Sequence, residues 1–191
     1  MEGRMKQTLW KVFKKDLQSN NGDIKWKVGE WQKYEGKLEM CSSGFHASEM
    51  ILDAMGYTNA EEIALVEVKG NHLKQSNKQC WEYMRIKKVY KWTKEDSVSL
   101  AIFASELCIK NFEKEYPKDK RPREAIEAAK TWLKDPTEKN RSAAESAAGS
   151  AWSAAGSAGS AAESAAWSAA ESAESAVKNK CEKFIKQRLE G

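Results

Sequence analysis

The chain has 191 residues, 41% of them hydrophobic, and a formal net charge of +4, which suits one large domain or two small ones and is too mild an excess to argue for a nucleic-acid partner. Its four cysteines, Cys41, Cys80, Cys108 and Cys181, form no CxxC pair, and only two histidines accompany them, so no metal site is expected and the thiols fit a reducing cytoplasm. Neither an apolar signal core in MEGRMKQTLW nor a run of 18 apolar residues occurs, so the expectation is a cytoplasmic protein with no membrane partner and no cofactor.

Residues 1–92 read as a β-rich domain. TLWKVFKKDL sets Leu9, Lys11 and Phe13 on one side of a strand, with Trp10, Val12 and Lys14 on the other. SNNGD at 19–23 is turn chemistry. Trp26, Val28, Trp31 and Tyr34 mark a second extended stretch around Gly29, and Ser42-Ser43-Gly44 a further turn. Ser48 is placed to cap a short helix, EMILDAMG, that ends at Gly56. Ile63, Leu65, Val66 and Val68 predict a strand ending at Gly70, and Trp81, Tyr83, Ile86, Val89 and Tyr90 predict another.

Residues 93–191 read as an all-α domain. Thr93 followed by Lys94, Glu95 and Asp96 starts a helix, and Tyr116-Pro117 ends it. Pro122 suits the first turn of the next helix, and Asp135-Pro136 starts a third. Residues 142–177 then carry ten Ser-Ala dipeptides at spacings of three and four, four glutamates and no Lys or Arg. That beat is helical and close to an 11-residue repeat. One helix over 136–188 would run about 80 Å. Gly149, Gly156 and Gly159 favour a break and a folded-back bundle. The fold class is therefore α+β: a small N-terminal mixed β-sheet with a short helix, then a C-terminal helical bundle with an Ala/Ser-rich repeat.

Three groups of residues carry candidate chemistry. His46, next to a Gly-Phe turn and near Cys41 and Ser48, offers a nucleophile–base pair with Cys41, against the alternative of a structural histidine bonded to a neighbouring strand. Lys118, Lys120, Arg121 and Arg123 cluster at a helix start between Tyr116 and Trp132, with Asn140 and Arg141 near the next start. Free N–H groups and guanidinium forks there suit phosphate or carboxylate, unless Asp119, Glu124 and Glu127 take the arginines. Trp152 and Trp167 interrupt the small-residue repeat. They fill holes between helices, or stack on a ligand or anchor a partner.

Two stretches resemble known families. Phe112, Glu113, Lys114, Tyr116, Pro117, Asp119, Arg121, Pro122, Arg123, Ala125, Ile126, Glu127, Ala128, Ala129 and Trp132 follow an FEKxYPxDxRPRxAIEAAxxW pattern. It resembles the all-helical immunity-protein family of bacterial polymorphic toxin systems, over roughly residues 97–177. The repeat here is Ser-rich, where many members are rich in Ala, Arg and His. Cys41, Gly44, Phe45, His46 and Ala47, after Lys11, Phe13, Val28, Gly29 and Gly36, resemble a phage and prophage domain of unknown function with a CxxGFHA run. Many members have a second Cys where Ser48 stands.

The two resemblances imply a non-enzymatic phage or mobile-element accessory protein, acting in the host cytoplasm. It would bind and sequester or inhibit a host or toxin protein in toxin immunity or counter-defence. The alternatives are a sponge for a small anionic signalling nucleotide, a small nucleotide-processing enzyme using His46, and a structural homo-oligomer held by the repeat.

Overall fold

The computed structural model describes residues 6–19, 24–57, 60–147, 149 and 167–191, by backbone alone from 167 to 175. The chain divides into two compact units, Met1–Thr93 with Leu189–Gly191, and Lys94–Arg188.

The first unit holds β1 (Gln7–Phe13), β2 (Gln32–Lys33), β3 (Phe45–Ala47), α1 (Ile51–Met55), β4 (Glu62–Lys74) and β5 (Gln79–Lys91). β4 and β5 form a long antiparallel hairpin, whose turn is closed by the Gln75 N–H donating to the Lys78 carbonyl at 2.9 Å. β1 lies antiparallel on the free side of β4, from Gln7 opposite Val68 to Phe13 opposite Glu62. β5 takes β2 at Tyr83 and Met84, and β3 at Gln79 to Trp81. Just past β3, Ser48 and Trp10 exchange both backbone hydrogen bonds at 2.8 Å. The path β1–β4–β5–β3 therefore returns to β1, and the sheet closes on itself.

Period-two alternation fills the interior. Leu9 and Phe13 of β1, Ala64, Val66 and Val68 of β4, and Met84 and Ile86 of β5 pack with Phe45, Ala47, Trp26 and Trp81. Each large member contributes about 1.5–3 kcal/mol by leaving water. Trp26 meets Phe13 and Phe45 edge-on, with ring centroids 5.7 and 5.2 Å away. α1 packs on β1 and buries Ile51 and Ala54.

This architecture corrects the expectation of a small mixed sheet. All five strands pair antiparallel, and β4 and β5 run 13 residues each. A tight turn joins them directly, so no crossover is needed and no parallel pairing between strands follows. The one parallel contact among the described residues is an isolated bridge, Val28 to Ile86. β4 does not end at Gly70. The register slips between Lys69 and His72, and Gly70 takes φ +89°, so a bulge carries the strand onward to Lys74. Ser48 does not cap α1 either. Its backbone pairs with Trp10 in the extended seam, and the helix starts only at Ile51, with Met50 at the N-cap position and no side-chain cap.

The second unit contains α2 (Lys94–Glu115), α3 (Arg121–Lys134) and α4 (Trp167–Glu190), with a further helical stretch over 138–147. Pro122 sits in the first turn of α3, where its missing N–H has no helical partner to lose. Ile102 and Ile109 of α2 pack on Ile126 of α3, flanked by Val98, Ala129 and Leu133. Phe184 of α4 stacks on Phe103 at 4.6 Å, and Arg188 donates to Asp96 at 3.0 Å. Half of the Ser-Ala repeat, including the proposed break at Gly156 and Gly159, lies outside the described residues. Among the described residues, no helix is long and apolar enough to cross a membrane.

Candidate functional site

A cavity of about 410 Å³ opens where β1, β3, the 41–44 loop and the end of α1 meet. Its walls are aromatic, with Trp10, Trp26, Tyr34, Phe45 and Tyr57, and its cations are Lys11 and Lys78. Among the described residues, no aspartate or glutamate lines it.

Lys11 owes its position to strand alternation. It falls between Leu9 and Phe13 on the inward face of β1, where an apolar residue is the rule. Its Nζ donates to the His46 carbonyl at 3.1 Å and stands 5.4 Å from the Phe13 ring centre. No carboxylate among the described residues pairs with it. Burial pushes the ammonium down from 10.5 to about 8, against a smaller opposing effect of Cys80.

The 41–44 loop is held by backbone geometry and by His46. Gly44 takes φ +99°, and a Cβ there would stand 2.5 Å from Cys80 Sγ and 2.7 Å from a Leu38 methyl. Only glycine fits that turn. His46 Nε2 accepts the Cys41 backbone N–H at 3.0 Å. Burial first, then the charges of Lys11 and Lys78, push the imidazole below its ordinary value, and a hydrogen bond with the Gly44 backbone acts the other way. His46 is therefore neutral near pH 7, with its ring engaged by the loop. The buried Cys80 thiol donates to the Ser43 carbonyl at 3.0 Å, and its burial raises it above an ordinary thiol.

Cys41 is exposed, with φ +67°. Its Sγ lies 2.7 Å from Lys78 Nζ, and that contact first of all holds the Lys78 ammonium above its ordinary value. Lys78 also stands 4.5 Å from the centre of the Tyr57 ring. Cys41 and His46 are thus neighbours, but their hydrogen bond uses the cysteine's backbone, and the thiol faces Lys78.

The helix-start cluster in the second unit is paired internally. Arg121 grips Asp119 with Nε at 2.9 Å and Nη2 at 2.6 Å. Arg123 grips Glu113 at 2.8 and 2.7 Å. Both carboxylates are held below their usual range, first of all by these hydrogen bonds. Lys118 and Lys120 are exposed, and Tyr116 tilts against Phe112 at 5.0 Å. Trp132 is buried with Lys94 Nζ 5.4 Å from its ring centre. Asn140 donates to the Asp135 carbonyl at 2.8 Å, and Arg141 to Glu138 at 2.6 Å. Trp152 lies outside the described residues, and Trp167 opens α4 with its side chain undescribed. Among the described residues, no three His, Cys, Asp or Glu side chains gather to hold a metal ion.

A second depression of similar volume lies at residues 33–38 and 71–73. Glu35 and Glu82 offset Lys33 and Lys37 in its walls, so it lacks the one-signed charge of the first. Sequence reasoning passed over Lys11, Lys78 and Tyr57. A lysine on the apolar side of a strand was the readable signal for Lys11. Lys78 and Tyr57 reach the cavity only through the fold.

Residues 7–97 match a family model described as a domain of unknown function (DUF7666), and residues 96–182 match one described as a family of unknown function (DUF6931). Two domains of unknown function therefore cover most of the chain, and neither description carries a phage or immunity role. No curated protein and no solved structure matches the chain.

Proposed function

We propose that the first unit binds a small ligand that joins an anionic group to a flat ring, a nucleotide being the natural class, and that the chain acts by holding this ligand rather than transforming it. The observation that carries this reading is the half-buried Lys11 ammonium, without a carboxylate, on the wall of an aromatic cavity. A partly desolvated cation lacking a counter-ion is disfavoured, and an anion entering the cavity relieves that cost. Lys78 adds a second positive charge, and Tyr57, exposed at the edge of the aromatic lining, offers ring surface to a base. Holding rather than turnover is favoured because His46 is neutral and tied to the loop, so no free base faces the Cys41 thiol. This anion reading differs from one built on Arg121 and Arg123, whose guanidinium groups already hold Asp119 and Glu113.

The test is a thermal-shift panel of nucleoside monophosphates, cyclic mono- and dinucleotides and ADP-ribose with the full chain. At least one ligand raises Tm, as binding to the folded state alone requires; saturation at 100 times Kd is worth about 2.7 kcal/mol. The shift disappears in Lys11→Met and persists in Arg121→Ala and Arg123→Ala, and the ligand is recovered intact. No shift across the panel, or a shift kept in Lys11→Met and lost in the arginine variants, refutes the reading.

A further inference from the structure

Lys78 Nζ and Cys41 Sγ stand 2.7 Å apart. Typical N–H···O hydrogen bonds centre at about 2.9–3.0 Å, and sulfur is a larger acceptor than oxygen, so an N–H···S bond is longer still. The separation is therefore too short for an ordinary ammonium–thiol contact. It suits two atoms joined through one small bridging atom. The surroundings fix both partners. Cys41 is held in a left-handed backbone conformation, at φ +67°, with its N–H bonded to His46. Lys78 closes the β4–β5 turn through its carbonyl and lies against Tyr57. The thiol is exposed beside a cation, the setting in which cysteine oxidation is most selective.

We infer that Cys41 and Lys78 form an oxygen-bridged covalent crosslink, Sγ–O–Nζ, when the protein meets a peroxide. The step balances with two peroxide molecules. The Cys41 thiolate attacks the first, its O–O bond breaks, and a sulfenic acid and water result. The sulfenic acid condenses with the second peroxide to S–O–OH, releasing another water. Lys78 gives up a proton, and its nitrogen lone pair attacks the sulfur-bound oxygen. The remaining O–O bond breaks, and hydroxide leaves with the proton as the third water. Thiol and amine are oxidised by four electrons in all, and both peroxides are reduced. Dithiols reverse the reaction, regenerating thiol, amine and water as two disulfides form.

The experiment is peptide mapping of the full chain after mild hydrogen peroxide treatment and alkylation of the remaining thiols. The crosslink appears as tryptic peptides 38–69 and 75–85 joined, about 14 Da heavier than the sum of the two with Cys80 alkylated and Cys41 unmodified, and with no cleavage after Lys78. Dithiothreitol added before digestion abolishes the joined species. Lys78→Arg and Cys41→Ser both lack it, and each is checked for an unchanged circular dichroism spectrum. Cys41 found only as sulfenic or sulfinic acid, about 16 or 32 Da heavier, with Lys78 still cleaved, overturns the inference. A disulfide between Cys41 and Cys80 overturns it equally. Because the readout is a mass, it is independent of whether any nucleotide binds.

Discussion

Lys11→Met should stabilise the protein at neutral pH while removing ligand binding. The folded lysine sits at about 8 against 10.5, and each unit corresponds to 1.36 kcal/mol, so the charged form is penalised by about 3 kcal/mol. Below pH 8 that penalty is fully present. As pH climbs from 8 towards 10.5 the folded lysine sheds its proton while the unfolded chain keeps it, so stability rises with pH over that window. Methionine fills a similar volume without charge but gives up the hydrogen bond to the His46 carbonyl, a loss of about 1 kcal/mol. The net expectation is a gain of about 2 kcal/mol at pH 7, shrinking to near zero at pH 10. Urea denaturation of both proteins at the two pH values measures it. A variant less stable than the parent at pH 7, or a difference that does not move with pH, refutes the claim that the ammonium is desolvated without a counter-ion.

Gly44→Ala should destabilise the first unit by at least about 2 kcal/mol, because positive φ and the approach to Cys80 Sγ act together. Gly29→Ala, at φ +86° but with nothing within 4 Å of the new Cβ, should cost only about 1 kcal/mol. Equal effects in denaturant titrations would remove the steric argument. Glu67 is buried on β4 and bonded by Arg85 Nε at 2.7 Å. Burial raises its carboxyl, but Arg85, with Lys87 and Lys6 beside it, brings it below its usual value. Glu67→Gln should therefore lose about 1–2 kcal/mol at pH 7. That difference is complete above the unfolded carboxyl's range and fades as pH falls through the depressed folded value. A gap of the same size at pH 3 and pH 7 would contradict it.

Much of the strand content was legible because it is local. Leu9, Phe13, Ile63, Val66, Ile86 and Tyr90 announce their strands by alternation, and Pro117 and Pro122 punctuate α2 and α3. What escaped was non-local or exceptional. Gly70 reads as a stop, yet a bulge lets β4 run through it. Ser48 has the chemistry of a cap, but pairing with Trp10 keeps its backbone extended and the helix begins beyond it, after Met50. Asp119 could be named as a partner for the arginines. Glu113, ten residues before Arg123, became one only because α2 and α3 pack side by side. The same distinction governs the candidate site. His46 and Cys41 were visible as a pair of reactive types, but which atoms meet is decided by the loop's backbone. Lys11 was visible as an anomaly in an apolar stripe, and its meaning required knowing that the stripe faces a cavity.

The seam between Trp10 and Ser48 gives the ring of strands a latch. Two peptide hydrogen bonds hold it, and the lysine next to Trp10 adds a third stitch to the carbonyl of His46. Every other turn of the ring is a ladder of several pairs or a covalent hairpin. Parting is therefore easiest at this joint, which is also where the cavity lies. An anion that draws Lys11 off the His46 carbonyl would unfasten one of the stitches on its own way in, so the door and the lure are the same side chain.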